Sequence, residues 1–181
     1  SLGAIFVSII AFVMIWFFNV SFKNIILAAA FLSLLSLIPI YFVKEKKAKP
    51  KKTKLRIGLK KLPKNLKIFI LISGIFAFAN FSYMFFVLKA QQHFSGKLSI
   101  ALPVLLYVLF NIFYASFSAP FGALSDRIGR KKVISSGYFL FFLTSTGFIF
   151  LDSAVSLLIL FSMYGLTLAL IDANQRAFVS D

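Results

Sequence analysis

The chain reads as an all-α, polytopic membrane protein with six spans, and three observations carry that reading. It is 60% hydrophobic and only 14% charged, a balance that a water-soluble domain does not tolerate. It contains six continuously apolar stretches, each close to the 20 or so residues that a helix needs to cross a bilayer. Its cations are placed unevenly: when the spans alternate across the membrane, 17 of the 20 Lys and Arg fall on one side. That excess marks the cytoplasmic side.

The stretches are Leu2–Val20, Ile25–Val43, Ile68–Leu88, Leu98–Phe121, Val133–Leu151 and Ala154–Ile171. Their apolar runs are unbroken, which predicts helices; barrel strands alternate apolar and polar residues. The 25 phenylalanines are read as lipid-facing bulk in preference to an aromatic binding box. The first two spans form a hairpin joined on the outside by Ser21-Phe22-Lys23-Asn24.

The segment Lys44–Lys67 then interrupts the apolar pattern with 12 cations. Its first part, Lys44–Lys54, has seven lysines in 11 residues and is expected to be disordered by self-repulsion. Its second part, Leu55–Leu66, sets Leu55, Ile57, Leu59, Leu62 and Leu66 among the cations. Two readings stay open there: a short amphipathic helix on the anionic inner leaflet, or a solvated linker. Four spans follow. Lys89–Lys97 is an external loop, and Pro103 sits near the start of the fourth span, where a missing N–H costs least. Pro120 is expected to kink or end that span. Ala115 with Ala119, and Ser118 with Gly122, are small-residue pairs that permit a close neighbouring helix. Only Asp152 and Ser153 separate the last two spans, which predicts a tight hairpin.

Net charge of +15 would suit a nucleic-acid partner, but its location in loops beside apolar spans points to the membrane surface instead. With no cysteine, thiol and disulfide chemistry are excluded. His93 is a lone exposed histidine with no metal-binding partners nearby. The five acids, Glu45, Asp126, Asp152, Asp172 and Asp181, form no metal or phosphate motif, and no nucleophile–base pair is present. The sequence therefore calls for no catalytic residue, metal or cofactor. The chain begins at Ser1 inside an apolar segment and stops at Ser180-Asp181 as a polar loop opens, so it is expected to be a piece of a longer protein.

Between the fourth and fifth spans lies Gly122-Ala123-Leu124-Ser125-Asp126-Arg127-Ile128-Gly129-Arg130-Lys131-Lys132. This run resembles the loop signature of the major facilitator superfamily, G-x-L-[SA]-D-[RK]-x-G-R-[RK]-[RK], at every specified position. The run from Gly165 through Asp172, Arg176 and Asp181 resembles the end of helix 10 in a prokaryotic branch of the superfamily. Leu62–Lys67 and Phe78–Tyr83 resemble that branch around helix 7. In helix 5 the resemblance lapses: the G-P pair of many proton-driven exporters is absent after Gly3-Ala4, where Val7-Ser8 stand.

The resemblance implies a carrier of two six-helix halves joined by a long cytoplasmic loop, with one signature after the second helix of each half. With the basic segment as that loop, residues 1–43 are helices 5 and 6, residues 44–67 are the central linker, and residues 68–181 are helices 7 to 10. The signature is then the second copy. The implied protein is a secondary active transporter of the prokaryotic cytoplasmic membrane, moving a small solute by alternating access. Its partners are the bilayer, the solute and the remaining helices of the same chain; proton coupling stays open. A non-transporting membrane receptor or scaffold of the same fold is the alternative, since fold does not fix function.

Two groups of candidate residues follow. The first is a conformational latch: Gly122, Asp126, Arg127, Gly129 and Arg130 in the loop, with Asp126, Arg130, Asp172 and Arg176 as a cytoplasmic charge network. Asp126 is expected to face the helix N-terminus near Ser1–Gly3, where free N–H groups favour an anion. Asp172 and Arg176 are four residues apart and share a face. The competing reading is that these charges anchor helix ends in the headgroups. The second group comprises the polar residues inside helices 7, 8 and 10: Asn80, Tyr83, Asn111, Tyr114 and Tyr164. They either line the solute pathway or bond helix to helix, because a buried amide in lipid must find a partner.

Overall fold

A computed structural model of the chain describes residues 2–35, 62–80, 83–96 and 98–180. Among them the secondary structure is entirely helical. The elements are α1 (Leu2–Trp16), α2 (Phe22–Leu35), α3 (Lys64–Ala79), α4 (Met84–His93), α5 (Leu98–Ile128), α6 (Arg130–Phe150) and α7 (Ala154–Ser180). The lysine run Lys44–Lys54 and most of the proposed amphipathic stretch lie outside the described residues.

Several boundaries differ from the sequence expectation, each for a local reason. The first span stops at Trp16, not Val20, and the second starts at Phe22, not Ile25. The turn therefore falls on Phe17–Ser21, with Asn19 at φ 49°, a left-handed conformation that asparagine tolerates better than most residues. The Ser21 carbonyl accepts the N–H groups of Asn24 and Ile25, so Phe22 to Asn24 already form the first helical turn. Lys64–Lys67, expected in the linker, are the first turn of α3.

The third span is broken. α3 ends at Ala79, Asn80 leaves helical geometry at ψ 70°, and α4 resumes at Met84. α4 runs on to His93, so half of the expected external loop is helix. In the other direction, α5 does not stop at Pro120. It continues through Asp126 to Ile128, 31 residues in all, with Pro103 and Pro120 inside it. Spanning helices accept an internal proline when the freed carbonyl finds another donor. The connection from α5 to α6 is consequently the single residue Gly129, at φ 96° and ψ 133°. That conformation is essentially glycine-only.

α5, α6 and α7 form the body of the fold, with the largest interface between α5 and α7; α1 and α4 pack on α5. The lengths and apolar character of α3–α4, α5, α6 and α7 suffice to cross a membrane, while α1 and α2 are shorter apolar helices. Large side chains such as Phe78, 93% exposed, stand on the surface, as expected when the solvent is lipid. Not all phenylalanines are such bulk. Phe86, Phe110, Phe141, Phe148 and Phe161 are buried with Tyr164 in one aromatic core, which corrects the lipid-facing reading for those positions.

Close packing is organised by glycine, but not at Gly122. A Cβ on Gly165 would lie 2.5 Å from the Phe110 carbonyl oxygen and 2.9 Å from the Phe113 Cβ, so α7 touches the α5 backbone there. Gly137 and Gly147 of α6 likewise admit Ile171 and Leu160 of α7. By contrast, a Cβ on Gly122 would meet nothing within 4 Å.

Candidate functional site

The signature residues occupy one end of the bundle. Gly122 to Ile128 are the last turns of α5, Gly129 is the turn, and Arg130 to Lys132 begin α6. Asp126 and Arg130 sit on either side of the turn, and the Arg130 Nη2 lies 3.6 Å from Asp126 Oδ1. Arg130 is the more enclosed partner, with 23% of its side chain exposed against 68% for Asp126. Ser125 is buried, and its hydroxyl donates to the Gly122 carbonyl at 2.7 Å. Arg127 is exposed in the last turn of α5, where a cation favours the negative end of the helix dipole.

A cleft of about 900 Å³ opens beside this turn, lined by Asp126, Arg130 and Lys131 on one wall. The opposite walls come from Asn65 at the start of α3 and Phe178 near the end of α7. The starts of α3 and α6 and the end of α7 therefore meet at the signature end. At the far end of the bundle, the Lys89 Nζ on α4 pairs with Asp152 Oδ1 in the α6–α7 hairpin at 2.8 Å.

The four residues of the expected charge network do not converge. Asp126 pairs with Arg130, whereas Asp172 Oδ2 accepts a 2.9 Å hydrogen bond from the Tyr114 hydroxyl, between α7 and α5. Arg176 is exposed and lies toward Phe69 and Ser73 of α3. Among the described residues no ion pair joins Asp172 to Arg130 or to Arg176. Ser1, the expected partner of Asp126 together with Gly3, lies outside the described residues, although α1 packs along α5.

The polar residues inside the spans fall into two sets. Asn111 is buried, and its Nδ2 donates to the Tyr107 carbonyl one turn back at 2.9 Å. Thr144, Thr167 and Asn174 bond back to their own helices in the same way. This local bonding is how a short polar side chain avoids being stranded in an apolar interior.

The second set joins helices. The Tyr164 hydroxyl lies 3.5 Å from Asn80 Oδ1 at the break in the third span. Tyr83 stacks on Tyr107, Tyr107 on Phe110, and Phe110 on both Tyr114 and Tyr164. Asn80, Tyr83, Tyr114 and Tyr164 are thus connected through one aromatic chain, with Tyr107 and Phe110 as links that the sequence reading did not name. Tyr107 lies one turn before Asn111 and Phe110 one turn before Tyr114, a spacing that marks a shared face of α5. Gln175 was also missed; its Nε2 donates to the Tyr138 hydroxyl at 2.7 Å, and Tyr138 stacks on Phe76 of α3. Tyr114–Asp172, Tyr164–Asn80 and Gln175–Tyr138 each have one partner on α7, which makes α7 the polar hub of the bundle.

Comparison with known proteins agrees with this architecture. The chain is 50% identical, over 184 aligned residues, to an uncharacterized MFS-type transporter of Methanocaldococcus jannaschii. The match covers 99% of this chain and 46% of that relative, so the chain spans about half the length of the protein it resembles. No solved structure matches it. The family model of the Major Facilitator Superfamily matches residues 1–181, and the chain belongs to that superfamily.

Proposed function

We propose that the chain forms helices 5 to 10 of a secondary active transporter that moves a small solute across the cytoplasmic membrane by alternating access. The observation that carries this reading is positional. A complete signature, Gly122–Lys132, follows the fourth span, and a basic segment of 12 cations lies two spans before it. In a carrier of two six-helix halves, only the second signature copy has both neighbours in that order. Residues 1–43 then close the N-terminal half, residues 44–67 are the central loop, and residues 68–181 open the C-terminal half. The asymmetry of Lys and Arg supports a cytoplasmic linker and signature loop.

Within this reading the Gly129 turn and the Asp126–Arg130 pair act as a latch at the cytoplasmic end. An exposed pair contributes little to stability, but alternating access needs only a few kcal/mol of bias between states. The chain of Tyr83, Tyr107, Phe110, Tyr114 and Tyr164, with Asn80 at the helix break, is the part of the solute pathway contributed by helices 7, 8 and 10. Carrier sites lie near midplane and are often built on interrupted helices, which favours the Asn80 break. No covalent chemistry is required, so the protein is not an enzyme.

Reconstituting the full chain into vesicles loaded with a mixture of isotopically labelled metabolites tests this reading. A carrier releases at least one labelled solute faster than protein-free vesicles do. A receptor or scaffold of the same fold retains all of them, even where it binds one.

A further inference from the structure

Three cavities on one side of the bundle join end to end. The cleft at the signature turn shares Asn65, Lys131 and Phe178 with a second cavity of about 330 Å³ between α3 and α6. That cavity shares Ile72 with a third of about 470 Å³, an apolar groove walled by α3 and α6 with Tyr138 and Phe142 on the α6 side. The result is a track with a polar, cationic head and an apolar tail. Along α3 it runs from Asn65 to Ala79, roughly 20 Å at about 1.5 Å per residue. One leaflet of a bilayer is about 15 Å of hydrocarbon, so the track is long enough to hold an acyl chain.

The head of the track is built for an anion. α3 and α6 both start there, so two positive helix ends point into one cleft. Neither first turn contains an acidic residue, and neither N-cap side chain satisfies the free N–H groups. Instead the first turns carry Lys64 and Lys67 on α3, and Arg130, Lys131 and Lys132 on α6. Cations at helix N-termini are the reverse of the favourable arrangement. Among the described residues the carboxylate lining the cleft is Asp126, paired with Arg130, and the exposed Lys131 on the same wall presents its charge to an external anion.

We propose that this track is a binding site for an anionic phospholipid. The phosphate headgroup sits in the cleft beside Lys131 and Asn65, and one acyl chain lies in the α3–α6 groove past Ile72 and Phe142. Lys131 borders both the cleft and the second cavity, at the junction of head and tail. Lys132, one residue further, borders none of the three cavities. The site is therefore distinct from a diffuse cationic surface.

Native mass spectrometry of the delipidated full chain, titrated with dioleoyl phosphatidylglycerol or dioleoyl phosphatidylcholine, tests the site. Phosphatidylglycerol is expected to be retained in preference to phosphatidylcholine. Lys131→Glu is expected to weaken its retention about tenfold and Lys132→Glu less than about threefold, given the strength of one lysine at an anionic lipid surface. Lys131 is exposed, so its replacement should leave the thermal midpoint unchanged. Ile72→Trp, which fills the groove, should weaken lipid retention as well. Equal binding of the two lipids would overturn the proposal. Equal losses in the two lysine variants would reduce the effect to surface charge. Displacement of phosphatidylglycerol by excess inorganic phosphate would show a free-anion site with no role for the acyl chain, and would equally overturn it.

Discussion

The Tyr114 hydroxyl on α5 donates a 2.9 Å hydrogen bond to Asp172 on α7. It links a residue expected in the solute pathway with one expected in the cytoplasmic charge network. The two expectations meet because α7 runs nine residues beyond Ile171, to Ser180. Asp172 therefore lies inside a helix that packs on α5, as its shared face with Arg176 required.

Removing either partner of this bond should destabilise the α5–α7 interface. Tyr114→Phe is expected to cost about 1 kcal/mol, in the range of interhelical bonds measured within membranes. The double variant Tyr114→Phe, Asp172→Ala should cost little more than Asp172→Ala alone. A double-mutant cycle by thermal or chemical unfolding in detergent measures the coupling, and a coupling near zero would show the bond contributes nothing.

The α5–α7 crossing should tolerate no side chain at Gly165. The Phe110 carbonyl lies 2.5 Å from where the Cβ would stand, and backbone cannot rotate away. Gly165→Ala is expected to lower stability by about 1–3 kcal/mol, the usual cost of overpacking. Gly147→Ala meets the Leu160 Cδ2 at 2.4 Å, the far end of a flexible side chain, and should cost less. Thermal midpoints of the two variants, compared in the same detergent, check the order.

Two glycines of the signature should behave differently. Gly129→Ala places a Cβ at φ 96° and is expected to cost roughly 1–3 kcal/mol of backbone strain. Gly122→Ala has open space around it and should leave stability within about 0.5 kcal/mol. If Gly122→Ala nevertheless changes flux, the close approach it permits occurs in another conformation of the carrier. Parallel unfolding and flux measurements separate the two.

The pair at the far end, Lys89 with Asp152, is half-exposed. Lys89→Ala should change stability by less than about 1 kcal/mol, and the difference should shrink as salt is raised. Unfolding at low and high ionic strength measures it. A larger, salt-insensitive loss would mean that α4 is held mainly by this contact and not by burial of Phe86 and Ala90.

Much of the fold was legible in the sequence because hydropathy decides where a bilayer-spanning helix lies. The last three spans were found with their starts correct to within about one turn. The fifth also ended within one residue, at Phe150 against the expected Leu151, but the ends of the fourth and sixth were set short, since charge was read as the end of a helix. Asp126, Asp172 and Arg176 are all helical, because helices of 31 and 27 residues continue past the apolar band. The break at Asn80 was invisible to hydropathy, as Phe78 to Phe86 stay largely apolar through it. The candidate pathway was half legible. Tyrosines and asparagines inside apolar runs are conspicuous, but whether such a residue bonds across helices, as Tyr114 does, or back to its own, as Asn111 does, depends on rotamer and neighbour. Tyr107 and Phe110 were missed because one aromatic among many carries no signal until packing selects it.

The most direct test concerns Asp126. This chain has no cysteine, so spin labels placed here at Gly3→Cys and Leu124→Cys need no removal of native thiols in this part of the full protein. Gly3 has open space around it and Leu124 is exposed, and their separation reports how far the first span stands from the signature end of α5. In the full chain, Asp126→Asn should leave the thermal midpoint within about 0.5 kcal/mol equivalent while shifting the distance distribution and changing solute flux. An unchanged distribution together with unchanged flux would contradict the latch.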